Sequence, residues 1–297
     1  MRRRILNDQP VSRLAVWARR IALFSLAATF VAVIIVRSGA LDIVPALSTL
    51  AGALVLACVA ILLACASGVV IWRYGAGGGR HAAAALFVGF ALIAYPLYLG
   101  IKAYRLPAIY DITTDPIDPP QFDAIARLRP RDANPIAYAG LYTAEQQNAA
   151  YPDIAPDDTT ATPQEAYNAA MKVIAKRRWR VVDSRPPQGP LPRISDARPS
   201  PDATVRDGII EAVARTPILG FRDDVVVRVR AATDGARIDV RSASRYGRRD
   251  LGTNAARVRN LIDDIDDVLS TPAPEKKPDK KPVPPPHQPA GKASAKR

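Results

Sequence analysis

Residues 224–244 read DVVVRVRAATDGARIDVRSAS. The residues alternate as a strand does, and Asp234-Gly235 breaks the run where a tight hairpin turn would fall. In that hairpin Val225, Val227 and Val229 share a face with Ile238 and Val240, while Arg228, Arg230, Asp239 and Arg241 take the other. Upstream, Gly208–Thr216 (GIIEAVART) and Trp179–Val182 (WRVV) also read as strands. A helix is expected before them: Thr162 can cap, Pro163 takes the first helical position and Glu165 completes a capping box. It runs to about Arg178, with Tyr167, Ala170, Met171 and Ile174 on one side. After Gly252 the pattern turns helical again, with Val258, Leu261, Ile262, Ile265, Val268 and Leu269 in register. A run of strands between two helices predicts an α+β domain, residues 105–270, whose antiparallel sheet is covered on one face by helices.

Between this core and the N-terminal third lies Tyr110–Pro135 (YDITTDPIDPPQFDAIARLRPRDANP), too rich in proline and aspartate for a regular element and expected to form an ordered, extended arm. A second arm passes through Tyr151-Pro152-Asp153. The proline-rich loop from Arg185 to Asp202 is long enough to be functional or mobile. The tail 271–297 is rich in proline and lysine, cannot bury a core and is expected to be disordered.

Residues 1–104 have a different character. Three apolar stretches, about 14–36, 45–72 and 82–101, each approach or reach the ~20 residues that cross a bilayer. A signal peptide would explain the first but not the next two. Arg2, Arg3, Arg4, Arg13, Arg19 and Arg20 precede the first stretch, and Arg73 and Arg80 sit between the second and third. The connection between the first and second has only Arg37, offset by Asp42. Basic residues favour the cytoplasm, so a cytoplasmic N-terminus and a periplasmic domain in a bacterial inner membrane are expected. No acid or base lies deep inside a stretch, which argues for an anchor over an ion pathway.

The net charge of +13 would ordinarily suggest a polyanion partner. Divided along the chain, however, residues 1–101 carry +7, residues 102–270 only +1 and residues 271–297 +5. A nearly neutral domain excludes nucleic acid as the expected partner. Both cysteines, Cys58 and Cys65, fall in the second apolar stretch, leaving the domain without a disulfide framework or a cysteine zinc site. The two histidines, His81 and His287, lie in a predicted cytoplasmic turn and in the tail. Ser242 and Ser244 therefore lack a histidine base, and no catalytic set is expected.

Several of these segments together resemble a known family. They are DITTD (111–115), Tyr151-Pro152, Trp179, Asp223-Asp224 and above all RSASRYGRRDLGTNAAR (241–257). Over roughly residues 108–270 the chain resembles the domain of unknown function family numbered 1499. The resemblance implies a bacterial membrane-attached domain whose biochemistry is unassigned, and it brings no catalytic residues with it.

The densest polar passage supplies the candidate site: Arg241, Ser244, Arg245, Asp250, Asn254 and Arg257 surround a serine- and glycine-bearing loop that enters a helix. Guanidinium forks and helix-start amides suit a phosphate or carboxylate. The last helix has Arg257 and Arg259 near its start and Asp266 and Asp267 near its end, against its dipole, as though an anion or acidic segment offset them. The alternative is an internal network in which Asp250, Asp111 and Asp115 pair with these arginines and pin the arm. The expected function is a membrane-anchored binding or interaction module without cofactor or metal, its partners the bilayer and an anionic small molecule, lipid headgroup or envelope protein. An envelope hydrolase or transferase using Asp250, and a structural subunit of a membrane complex, are the alternatives.

Overall fold

The computed structural model of the chain describes residues 10–188 and 206–271. Three long helices come first: α1 (Arg13–Ser38), α2 (Ile43–Tyr74) and α3 (Gly79–Arg105). Each is long and apolar enough to cross a membrane, with mean hydropathies of 2.2, 2.9 and 2.0 over their most apolar stretches. Their seam is built of small residues, Ala18, Ala22, Ala60, Ala64 and Ala85. At Gly89 a methyl group would stand 2.5 Å from Ile61, so helices α2 and α3 touch through a bare backbone. The large apolar side chains, among them Phe24, Phe30, Leu62 and Phe87, point outward instead.

The rest is a single antiparallel sheet with its attendant helices. Strands β1 (Asp111–Thr113), β2 (Asp157–Thr159), β3 (Arg180–Arg185), β4 (Gly208–Arg215), β5 (Arg222–Ala232) and β6 (Gly235–Ser244) form it, in the order β1-β6-β5-β4-β3 with β2 also on β6. The hairpin closes where the sequence places it, Ala232 opposite Gly235. Gly235 has φ of +149°, and any side chain there would meet the carbonyl of Thr159, so the turn also seats β2. Helices α6 (Pro163–Lys176) and α7 (Thr253–Ser270) cover one face over Ile210, Ala212, Val225, Val227, Val229, Ile238 and Val240. Helix α6 starts on its capping box: the Thr162 hydroxyl accepts from the Glu165 amide, and the Glu165 carboxylate accepts from the Thr162 amide.

Two features differ from the sequence expectation. The arm is not free of regular structure: it supplies β1 and the short α4 (Ala124–Leu128), and α5 (Leu141–Ala150) follows it. It also covers the second face of the sheet, which was expected to be open, by packing Phe122 and Ile125 on Val213, Val226 and Ala243. Polar tethers make this possible. The fully buried Glu211 carboxylate accepts the amides of Asp123, Ala124 and Ile125 at 2.8–3.0 Å, so it caps α4 from β4. The 271–297 tail after its first residue, and most of the 185–202 loop, lie outside the described residues.

Candidate functional site

Side chains of β6 alternate between the two faces of the sheet, and that alternation divides the candidate residues. Arg241 and Arg245 point to the arm, whereas Ser244 points to the helices, where Asp250, Asn254 and Arg257 lie. The structure therefore makes two clusters from one stretch of sequence.

On the arm face Arg241 is fully buried and saturated. It forms a bidentate pair with Asp111 at 3.0 and 2.7 Å and donates to the carbonyls of Pro120 and Ile136. Its guanidinium lies over the rings of Phe122 and Tyr138. Arg245, 2% exposed, pairs with Asp224 at 2.7 Å, and Arg129 of the arm takes the other oxygen of the same carboxylate at 2.8 Å. Farther along, Arg228 and Arg230 share Asp239, and Arg230 also reaches Asp115. These arginines have carboxylates where an exogenous anion would have to bind. The internal network accounts for Asp111 and Asp115, but not for Asp250.

On the helix face Asp250 accepts the amides of Gly252 at 3.0 Å and Asn254 at 2.8 Å, which makes it the cap of α7. Leu251 and Gly252 hold left-handed conformations to make that turn. Asn254 is wholly buried: its amide donates to the Tyr110 carbonyl and the Ser244 hydroxyl, and its oxygen accepts from Ser242. Arg257 pairs with Asp223 and donates to Ser242. The two arginines at the start of α7 are thus offset from within, Arg257 by Asp223 and Arg259 by Asp153. Burial pushes the Asp250 carboxyl up, with the nearby Asp223 charge adding to it, against the amides of Gly252, Asn254 and Ala255.

This second cluster borders a cavity of 330 Å³ at the junction of helices and domain. Asp223, Ser244, Asp250, Thr253, Lys102 and Arg249 are among its polar lining. Its walls are Ile43 and Leu47 from the start of α2, Tyr95, Tyr98 and Leu99 from the end of α3, and Ile218, Leu219 and Phe221 from the β4–β5 turn. That turn rests on the bundle, for Arg37 at the end of α1 donates to the Pro217 carbonyl at 2.6 Å. A run of apolar residues in a hairpin turn (PILGF, 217–221) was the sequence signal for this contact, since such turns are usually polar. A larger depression of 780 Å³ between α6 and the end of α7 is a broad, open groove without convergent charged groups beyond Glu165, Lys172 and Asp266.

His81 lies at the start of α3, within 3.2 Å of Arg19 at the opposite end of the bundle from the domain. Among the described residues no three His, Cys, Asp or Glu side chains are grouped to hold a metal ion.

A family model described as a protein of unknown function (DUF1499) matches residues 111–265. The chain belongs to the DUF1499 family. Comparisons with curated proteins and with solved structures return no match. The family match runs from the first residue of β1 into α7, so the cavity of this DUF1499 member joins family residues to helices that precede the matched region.

Proposed function

We propose that this DUF1499 member is a bilayer-anchored binding module that takes an amphiphile from the surrounding membrane into the cavity between helix ends and domain. Its site is displaced from the buried arginines of the loop, Arg241, Arg245 and Arg257, which are already paired with aspartates, to the junction beside them. The 330 Å³ cavity carries the proposal: its lining combines apolar residues of the long helices with several charged and hydroxyl side chains, the mix a lipid or lipid-like molecule requires. Placement in an inner membrane, with a cytoplasmic N-terminus and a periplasmic domain, is part of the proposal and rests on the arginine asymmetry around the helices.

The hydrolase alternative draws on Asp250, a carboxyl pushed up by burial at the edge of the cavity. One of its oxygens accepts the Asn254 amide in the first turn of α7 and the other the Gly252 amide just before it, which favours a structural role.

The direct test is photocrosslinking of the full chain in vesicles of phosphatidylcholine that contain a diazirine-tagged acyl lipid. Labelled peptides are expected from Thr216–Phe221 as well as from the outward faces around Phe24 and Phe87. Leu219→Trp, which fills the cavity, should abolish the first label and spare the second. Labels confined to the outward faces in the wild-type chain would remove the binding role. Orientation is checked separately: a reporter active only in the periplasm, fused after Ser270, should be active.

A further inference from the structure

The β4–β5 turn separates the apolar cavity from a second one, of 240 Å³, that shares Ile43, Phe221 and Tyr246 with it. Three arginines converge there: Arg37 from the end of α1, Arg215 from the end of β4 and Arg222 from the start of β5. Arg215 and Arg222 stand directly opposite each other across the strand pair, a juxtaposition of like charges that costs stability unless something negative lies between them. Arg245 also lines this cavity, but its charge is answered by Asp224. Neither Arg215 nor Arg222 forms an ion pair among the described residues, although Arg228, Arg230 and Arg241 of the same sheet pair with aspartates. Two carboxylates, Asp42 and Asp132, lie at the wall, and Asp132 accepts from the Tyr246 hydroxyl. Burial and the neighbouring Arg215, Arg245 and Arg180 charges depress the proton affinity of Arg222, which fits an uncompensated positive site.

The location narrows the anion. Arg37 closes α1, and with Nη1 spent on the Pro217 and Ile218 carbonyls it is fixed at the end of an apolar helix. If the helices span a bilayer, an anion at the end of α1 is within reach of a lipid phosphate whose chains run back along α2 and α3, and planar guanidinium forks suit its oxygens. We infer that Arg37, Arg215 and Arg222 form the phosphate pocket of the amphiphile site, so that the occupant is an anionic glycerophospholipid with its headgroup in the basic cavity and an acyl chain past Phe221. This rests on the lipid site proposed above and adds its headgroup chemistry.

The test compares two diazirine-tagged lipids with the same acyl chains, phosphatidylglycerol and diacylglycerol, each as a trace component in nanodiscs holding the full chain. Wild type is expected to label the Thr216–Phe221 peptide at least about tenfold more with phosphatidylglycerol. In the Arg215→Gln/Arg222→Gln double variant the two lipids should label equally, with diacylglycerol labelling unchanged from wild type. Arg215→Lys/Arg222→Lys should recover part of the preference, since charge is restored without the fork. Arg215 and Arg222 are both exposed, so these variants should fold, and an unchanged melting temperature verifies it. Equal labelling by both lipids in wild type overturns the phosphate pocket while leaving the amphiphile site standing. Labelling by neither removes the amphiphile site itself. Loss of phosphatidylglycerol labelling on adding millimolar inorganic phosphate would make this a free-phosphate site and overturn the lipid assignment.

Discussion

The two faces of the sheet solve the same problem by opposite means. On the helix side β4, β5 and β6 present valine, isoleucine and alanine to α6 and α7, and burial of apolar area stabilises the contact without demanding one geometry. On the arm side the same strands present Glu211, Asp224, Arg228, Asp239, Arg241 and Arg245, all buried, and the partner is an irregular segment. Such a segment has unpaired amides and carbonyls of its own, which an apolar sheet would strand. A charged face satisfies them: Glu211 takes three amides, and Arg241 donates to two carbonyls. Helices can be packed by grease, but an arm with so little secondary structure of its own has to be hydrogen-bonded into place.

That contrast can be broken by mutation. Arg241→Ala should be the costliest single change, about 3–5 kcal/mol, because it leaves Asp111 buried without its cation. Leu261→Ala on the helix face should cost less, roughly 3 kcal/mol, the usual cost of a partly collapsed cavity. Denaturant unfolding of the full chain in detergent, followed by tryptophan fluorescence, measures both. If Arg241→Met with Asp111→Leu proves as damaging as Arg241→Ala alone, then the arm depends on the pair itself and not merely on avoiding a stranded charge.

The smallest expected effect lies between the helix layer and β2. Burial and the Asp266 and Asp158 charges push the Asp157 carboxyl up to about 6 from its usual 3.8. The folded chain thus holds this proton more tightly than the unfolded one, so stability should fall as pH rises from about 4 to about 6 and level off above. The pair is partly exposed, and the loss should be about 1 kcal/mol or less. Asp157→Asn should flatten that part of a melting-temperature profile; an unchanged slope would place the titration elsewhere.

Local signals in the sequence carried most of the helix-side architecture. Asp234-Gly235 marked the hairpin, Thr162 to Glu165 marked the start of α6, and the spacing from Val258 to Leu269 marked α7. The three-residue strands β1 and β2 were invisible because so short a run shows no period and their partner β6 lies far along the chain. The candidate site was legible as composition but not as geometry. Ser244 next to Arg245 reads as one cluster in a loop, yet strand alternation sends them to opposite faces, and only the parity of the numbers gave warning. The cavity combines the start of α2, the end of α3 and the 217–221 turn, three pieces joined by no local pattern.

Only Leu106 to Tyr110 separate the last residue of α3 from the first of β1. Five residues span at most about 17 Å when fully extended, and Arg249 holds the first of them by its carbonyl. The domain is therefore on a short leash, unable to roam the membrane surface as a module on a flexible linker would. Any tilt or rotation of α3 is passed to β1, and through β1 to its neighbour β6, so a change in how the three long helices pack acts mechanically on the sheet.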